Sequence, residues 1–203
     1  MHIELIDLLR CPKEHEETWL VAAFSRIEDR FVIEAKLGCP VCNASYVISD
    51  GVADLRAQRV ERSVAPESED NPEAAMRVAA LLNLTVPNSL AVLEGEYSST
   101  AGTVSGMTQC RVIALNPVQA IVETETVGVA LSDSRIPLAS HSAHGVAITN
   151  SDLLTDAPRV LRSGGRIVAR APGELPAGVV EIARDDRDTV GEAPQPVVPL
   201  RRG

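Results

Sequence analysis

The sequence predicts an α/β fold in two parts: a small β-rich module, then a mostly parallel sheet with helices on both faces. Three observations carry this. Three of the four cysteines fall within the first 42 residues, an acidic stretch broken by prolines follows, and five near-continuous apolar runs then recur between residues 90 and 169. With 203 residues and 45% apolar content the chain can bury a core, which excludes fibrous and wholly disordered classes.

The first part reads as short strands around a cysteine framework. Leu5-Ile6-Asp7-Leu8-Leu9 forms an apolar turn before Cys11-Pro12. Trp19-Leu20-Val21 and Arg30-Phe31-Val32-Ile33 read as strands, and Tyr46-Val47-Ile48 runs into an Asp50-Gly51 turn. The start, Met1-His2-Ile3-Glu4, has neither a basic nor a hydrophobic leader region, so a cytoplasmic location with reduced thiols is expected. In that setting the Cys39-Pro40-Val41-Cys42 knuckle favours a metal clip over a disulfide. Zinc takes four thiolate or imidazole ligands and replaces the core that a mini-domain is too small to build. A regular knuckle would place cysteine at position 14, where this chain has Glu14. His15, one place on, completes a candidate set of Cys11, His15, Cys39 and Cys42. The competing reading is a ribbon that has lost its metal, its cysteines kept as small buried residues.

Leu8-Leu9-Arg10-Cys11-Pro12, Leu37-Gly38-Cys39-Pro40-Val41-Cys42 and Tyr46-Val47-Ile48-Ser49-Asp50-Gly51-Val52 occur in order. Together they resemble the small zinc-ribbon family whose eukaryotic and archaeal members activate methyltransferases. The resemblance covers about residues 1–56 and implies a zinc-ribbon-like domain.

Residues 57–71 read as an acidic linker, with Glu61, Glu67, Glu69 and Asp70 around Pro66. Asn71-Pro72-Glu73 is a helix start, because Asn caps and Pro suits the first helical position; Ala75, Val78, Ala79 and Leu82 continue at helical spacing. The second domain is placed at 72–192. Leu90-Ala91-Val92-Leu93, Val112-Ile113-Ala114-Leu115, Val127-Gly128-Val129-Ala130-Leu131, Val146-Ala147-Ile148 and Ile167-Val168-Ala169 are the apolar runs expected of strands buried on both faces. Residues 193–203, with Pro194, Pro196 and Pro199, read as an extended Pro-rich tail.

The segment Arg159-Val160-Leu161-Arg162-Ser163-Gly164-Gly165-Arg166-Ile167-Val168 resembles the helix, Gly-Gly turn and fifth strand of class I S-adenosylmethionine-dependent methyltransferases. Asp133-Ser134-Arg135-Ile136-Pro137-Leu138 and Gly178 to Asp186 are weaker echoes. The resemblance implies a Rossmann-like sheet, and it also exposes departures at the cofactor site. In the family an acidic residue ending the first strand precedes a Gly-x-Gly-x-Gly turn. Aligned on Glu94, the glycine positions become Glu96, Ser98 and Thr100. A Glu96 carboxylate ~4 Å from the cofactor carboxylate, at an effective dielectric of ~20, would repel it by about 4 kcal/mol, roughly three orders of magnitude in affinity. Asn116 stands where the family accepts the ribose hydroxyls with a carboxylate, and Ala143-His144 replaces an aromatic-acidic pair.

The expected function is therefore a non-catalytic scaffolding subunit, a pseudo-methyltransferase for which S-adenosylmethionine is an unlikely ligand, with zinc in the ribbon and a protein partner or homo-oligomer. The alternative is an active methyltransferase with a divergent pocket, using Glu94 and Asp133 as cofactor contacts. No catalytic residue is assigned.

Other chemistry is poorly supported. His141 and His144 read as a loop entering a strand. Ser98-Ser99-Thr100 lacks a nucleophile elbow, Gly102 to Gly106 lacks the lysine of a phosphate loop, and Cys110 reads as a core thiol. Gly165 is expected to need a positive φ. Nineteen Lys and Arg against 28 Asp and Glu give 19 − 28 = −9, and aromatics are only 2%, so nucleic-acid binding is not expected. No apolar run approaches a membrane span.

Overall fold

The structure is a computed structural model describing residues 1–59, 64–66 and 71–195. Parts of the expected linker (60–63 and 67–70) and most of the expected tail (196–203) lie outside the described residues.

A short helix α1 (Ile3–Ile6) leads to a hairpin of β1 (Val21–Glu28) and β2 (Phe31–Gly38). Its turn, Asp29-Arg30, carries φ of 45° and 70°, the paired left-handed geometry whose twist suits a two-residue hairpin. Strands β3 (Ser45–Ser49) and β4 (Val52–Asp54) are joined by Asp50-Gly51, at φ 49° and 85°, where the sequence places a turn. Helix α2 (Pro72–Leu81) starts at the predicted cap: the Asn71 side chain accepts from the Ala74 N–H at 3.0 Å.

Next come β5 (Leu90–Glu94), a 3-10 helix over Gly95–Thr100, α3 (Ala101–Thr108), β6 (Arg111–Leu115) and β7 (Val127–Leu131). The chain continues through β8 (Ala143–Ile148), α4 (Ser151–Val160) and β9 (Leu161–Arg170), and closes on the hairpin of β10 (Val180–Arg184) and β11 (Asp188–Glu192).

The eleven strands among the described residues belong to one sheet, in the order β1-β2-β3-β4-β7-β6-β5-β8-β9-β11-β10. The run from β4 to β9 is parallel, and both flanks are antiparallel. Counted from β5, the parallel strands lie in the order 3-2-1-4-5, a doubly wound sheet whose direction of progression reverses between β5 and β8. The N-terminal strands extend this sheet. β4 pairs with β7 through Ala53↔Ala130 and Asp54↔Leu131, and the Leu55 N–H donates to the Leu131 carbonyl at 2.9 Å.

Alternate residues of the parallel strands serve two core layers. On one face Leu90, Val92, Ile113 and Leu115 pack with α1, α4 and the N-terminal Leu37, Tyr46 and Leu55. On the other, Ala91, Leu93 and Val112 pack with α2 and α3. Helices thus cover both faces, as the apolar runs predicted.

Two local expectations are corrected. His144 lies within β8, at the irregularity where the ladder to β9 shifts register between Ala143 and Gly145. Gly164-Gly165 sits inside β9, and the positive φ belongs to Gly164, at 72°. Gly165 is glycine for another reason: a Cβ there would lie 2.9 to 3.2 Å from the carbonyl oxygens of Arg162, His144 and Ala143. No helix among the described residues is long and apolar enough to cross a membrane.

Candidate functional site

The loop after α1 and the β2–β3 turn bring four donors together. The ligand atoms of Cys11, His15, Cys39 and Cys42 all lie within 4.8 Å of one another. Cys11 Sγ is 3.8 Å from Cys42 Sγ, and Cys39 Sγ is 3.4 Å from His15 Nε2. With zinc–sulfur bonds of ~2.3 Å and zinc–nitrogen bonds of ~2.0 Å, a tetrahedron has edges of about 3.8 and 3.5 Å. The donor set therefore has the size and chemistry of a closed zinc shell. His15 Nδ1 lies 2.6 Å from the Glu16 carbonyl, which holds the proton on that nitrogen and leaves Nε2 its lone pair. Burial pushes the Cys39 thiol up, but the N–H groups of Cys42 and Val41 and the neighbouring thiols outweigh it and bring it down to about 7. Cys11, beside the Tyr46 hydroxyl at 3.4 Å, is raised by burial.

This loop is tied to the segment after β7. Arg10 N–H donates to the Pro137 carbonyl at 2.9 Å, Arg135 Nη1 to the Lys13 carbonyl at 3.1 Å, and the Ser140 N–H and hydroxyl both to Glu17 Oε2 at 2.8 Å.

The second group of residues lies at the carboxyl ends of β5 and β8, where doubly wound sheets bind ligands. Glu94 is buried, and its Oε2 accepts from the Thr149 N–H (2.9 Å), the Thr149 hydroxyl (2.7 Å) and the Asn150 N–H (3.2 Å). Gly95 follows at φ 60°, and a Cβ there would come within 2.2 Å of Thr149 Oγ1. Glycine is required here by both conformation and space.

Glu96 is 68% exposed and forms an ion pair with Arg170 at the edge of a cleft that both residues line, so its charge is offset by a cation and the expected repulsion is reduced. Ser98 and Thr100, which replace two of the family's glycines, brace the 3-10 helix together with Ser99: the Ser98, Ser99 and Thr100 hydroxyls donate to the carbonyls of Gly95, Glu96 and Tyr97 at 2.6, 2.7 and 2.8 Å respectively. Asn116, at φ 48°, joins the ends of β6 and β7, since its amide donates to the Ser132 carbonyl at 2.8 Å and accepts from the Ser132 N–H at 3.0 Å. Asp133 is exposed; its Oδ2 accepts from the Ala57 N–H at 2.8 Å.

Beyond β5 and β9 opens a polar cleft of about 700 Å³ whose lining includes Arg77, Tyr97, Arg170, Arg187 and Asp188. Asp188 is buried; it accepts from Arg77 Nε at 3.1 Å and Nη2 at 2.8 Å, and from the Tyr97 hydroxyl. Burial first, then the Asp188 carboxylate, raises the Tyr97 phenol, so it stays protonated. The sequence reading missed this network. Its partners lie 91 and 111 residues apart, and no local spacing could signal them.

His141 and His144 do not converge: His141 Nδ1 meets the Leu161 carbonyl at 3.1 Å, and His144 pairs with Arg162. Cys110 is buried, 2.8 Å from the Ser89 hydroxyl.

No family model matches the chain, and no curated protein matches it. Among solved structures it resembles the antibiotic-resistance methyltransferase Kmr at 11% identity and a TM-score of 0.41, over 60% of this chain and 93% of that one. It also resembles a geranyl diphosphate methyltransferase in complex with S-adenosylmethionine (13% identity, TM-score 0.38, 48% of each chain). A third match is the geranyl diphosphate C-methyltransferase of Streptomyces coelicolor with S-adenosyl-L-homocysteine (14% identity, TM-score 0.39, 48% of this chain and 42% of that one). The chain thus spans less than half the length of the two geranyl diphosphate enzymes.

Two expectations are corrected here. The non-catalytic scaffold without its cofactor motif gives way, because the acidic residue and left-handed glycine that end the first strand are in place and the Glu96 charge on which that reading leaned is paired with Arg170. The dismissal of S-adenosylmethionine falls with it, since it rested on the same carboxylate standing unpaired.

Proposed function

We propose that the protein is an S-adenosylmethionine-dependent methyltransferase with a divergent pocket, its N-terminal module stapled by a structural zinc ion. The observation that carries the reading is the doubly wound order with an acidic residue and a left-handed glycine, Glu94-Gly95, ending the first strand at the switch point. Bound there, the cofactor supplies an electrophilic methyl group. Glu94 keeps Oε1 for the ligand's ammonium while Oε2 braces β8, and Asp133 keeps Oδ1 for an amino group of the base. Asn116 is committed to Ser132 and does not serve the ribose as the family's carboxylate does. The polar cleft around Tyr97 and Asp188 opens beside this turn and is the natural seat of the methyl acceptor.

Isothermal titration with S-adenosylhomocysteine tests the proposal. A dissociation constant on the order of micromolar is expected, weakened about tenfold in Asp133→Ala at an unchanged melting temperature. No heat at ~1 mM ligand would refute it.

The zinc reading is supported by the tetrahedral spacing of Cys11, His15, Cys39 and Cys42, and by the likeness of residues 1–56 to the zinc-ribbon family. Elemental analysis should return one zinc per chain. A metal-free protein that melts as the zinc-loaded one does would remove it.

A further inference from the structure

The connection from β6 to β7, residues 116–126, contains no helix, although parallel strands are ordinarily joined by one that covers the sheet. On the face carrying α2 and α3, no helix among the described residues covers β7 and β4 beyond α3. A cavity of about 680 Å³ lies there, within the roughly 300–1,000 Å³ typical of small-molecule sites. Its floor is Val52, Val129 and Leu131, and Ile121 and Val64 form apolar walls.

The charges at its rim are unequally satisfied. Glu123 is consumed by the amino terminus of Met1 at 2.7 Å and by the Val129 N–H at 3.1 Å. Arg56 is held by Asp54 at 2.7 Å, and Asp50 lies 3.9 Å from Arg26. Arg59 makes no hydrogen bond or ion pair among the described residues, and it borders both this cavity and a second of about 540 Å³ that continues over β3 and β2. An apolar slot bordered by a guanidinium that no described carboxylate contacts directly, its longer-range partner Asp54 being already bound to Arg56, selects a ligand with an apolar body and a single acidic group.

We propose that this cavity binds an amphipathic anion, its apolar body on Val52, Val129 and Leu131 and its carboxylate or sulfonate against Arg59. The site is separate from the carboxyl ends of β5 and β8, so it does not depend on methyl transfer.

The test uses the full chain and 8-anilinonaphthalene-1-sulfonate, an aromatic body with one sulfonate. Fluorescence should rise saturably to one dye per chain, and dodecanoate should displace the dye about tenfold better than dodecan-1-ol. Ile121→Asp should abolish the signal. Arg59→Glu should weaken dodecanoate about tenfold and leave dodecan-1-ol unchanged, while Arg59→Lys restores most of the difference. A cooperative melt for each variant separates site loss from unfolding. Absence of saturable binding, equal binding by Arg59→Glu and Ile121→Asp, or sedimentation showing a dimer that excludes the dye would each overturn the proposal.

Discussion

Strand β5 buries all five of its residues, whereas β1, at the edge of the same sheet, exposes seven of eight. At the middle of the parallel run a strand such as β5 is pressed between two helical layers, so apolar burial alone can fix its position. At the edge strand β1 burial is thin. There the strand is held by a hairpin turn and a ladder to the next strand, with the side chains of Cys11, His15, Cys39 and Cys42 gathered in the neighbouring loops. Where the hydrophobic term is small, a few point interactions decide whether the chain is ordered.

Removing the cluster should therefore have the largest and most local effect. With structural zinc sites contributing on the order of 10 kcal/mol, chelation or Cys39→Ser should unfold the loop from Cys11 to Glu17 and loosen β1 to β3. Amide exchange should accelerate there and stay slow in β5 and β8. Uniform acceleration through the sheet would erase the contrast.

A buried leucine on the N-terminal side tests whether the two regions nonetheless share a core. Leu37 is fully buried in the layer that contains Ile113 and Leu138, so Leu37→Ala should cost about 4 kcal/mol and shift one cooperative transition. Two separate transitions in urea would mean that the regions unfold independently.

Within the centre, Gly165→Val should cost about 3 kcal/mol, because three carbonyl oxygens occupy the space of the new side chain. A wild-type urea midpoint would show that β8 and β9 can move apart.

The polar cleft gives a pH handle. The Arg77 guanidinium, then the N–H groups of Asp188 and Arg187, hold Asp185 down at about 2, below its ordinary value of ~4. A depressed carboxylate adds stability that is complete above pH ~4 and is lost as pH falls toward ~2. Arg77→Met should flatten that limb in urea midpoints measured at pH 5, 3 and 2. An unchanged acid limb would place its origin elsewhere.

The smallest effect belongs to the exposed edge. Trp19 is 64% exposed beneath the Arg10 guanidinium at 4.5 Å, and Trp19→Ala should cost only about 0.5 kcal/mol in the same assay. A loss of several kcal/mol would show that the flank depends on more than its ladder and ligands.

Much of the centre was legible from local pattern. The five apolar runs became β5 to β9, and Asn71-Pro72 started α2, because burial on both faces and helix capping are written in neighbouring residues. The cysteine spacing was legible for the same reason, and it included His15 once Glu14 was seen to replace a cysteine. Glu96 was misjudged. A position in a motif specifies where the backbone passes, while the direction of a side chain depends on a distant partner, here Arg170. The Arg77–Asp188–Tyr97 network was invisible to periodicity.

By itself, then, the sequence determined the five apolar strands of the parallel run, which thiols and imidazole are candidate metal donors, and that glycine follows Glu94. Periodic burial, chelating spacing and chain punctuation are short-range properties. Only the tertiary structure decided that β4 joins β7 to make one sheet, that Asn116 ties β6 to β7, and that a cavity opens beside Arg59. Each depends on segments far apart in the chain meeting, and their relative placement is set by the shared core and the sheet's hydrogen bonds rather than by any local run of residues.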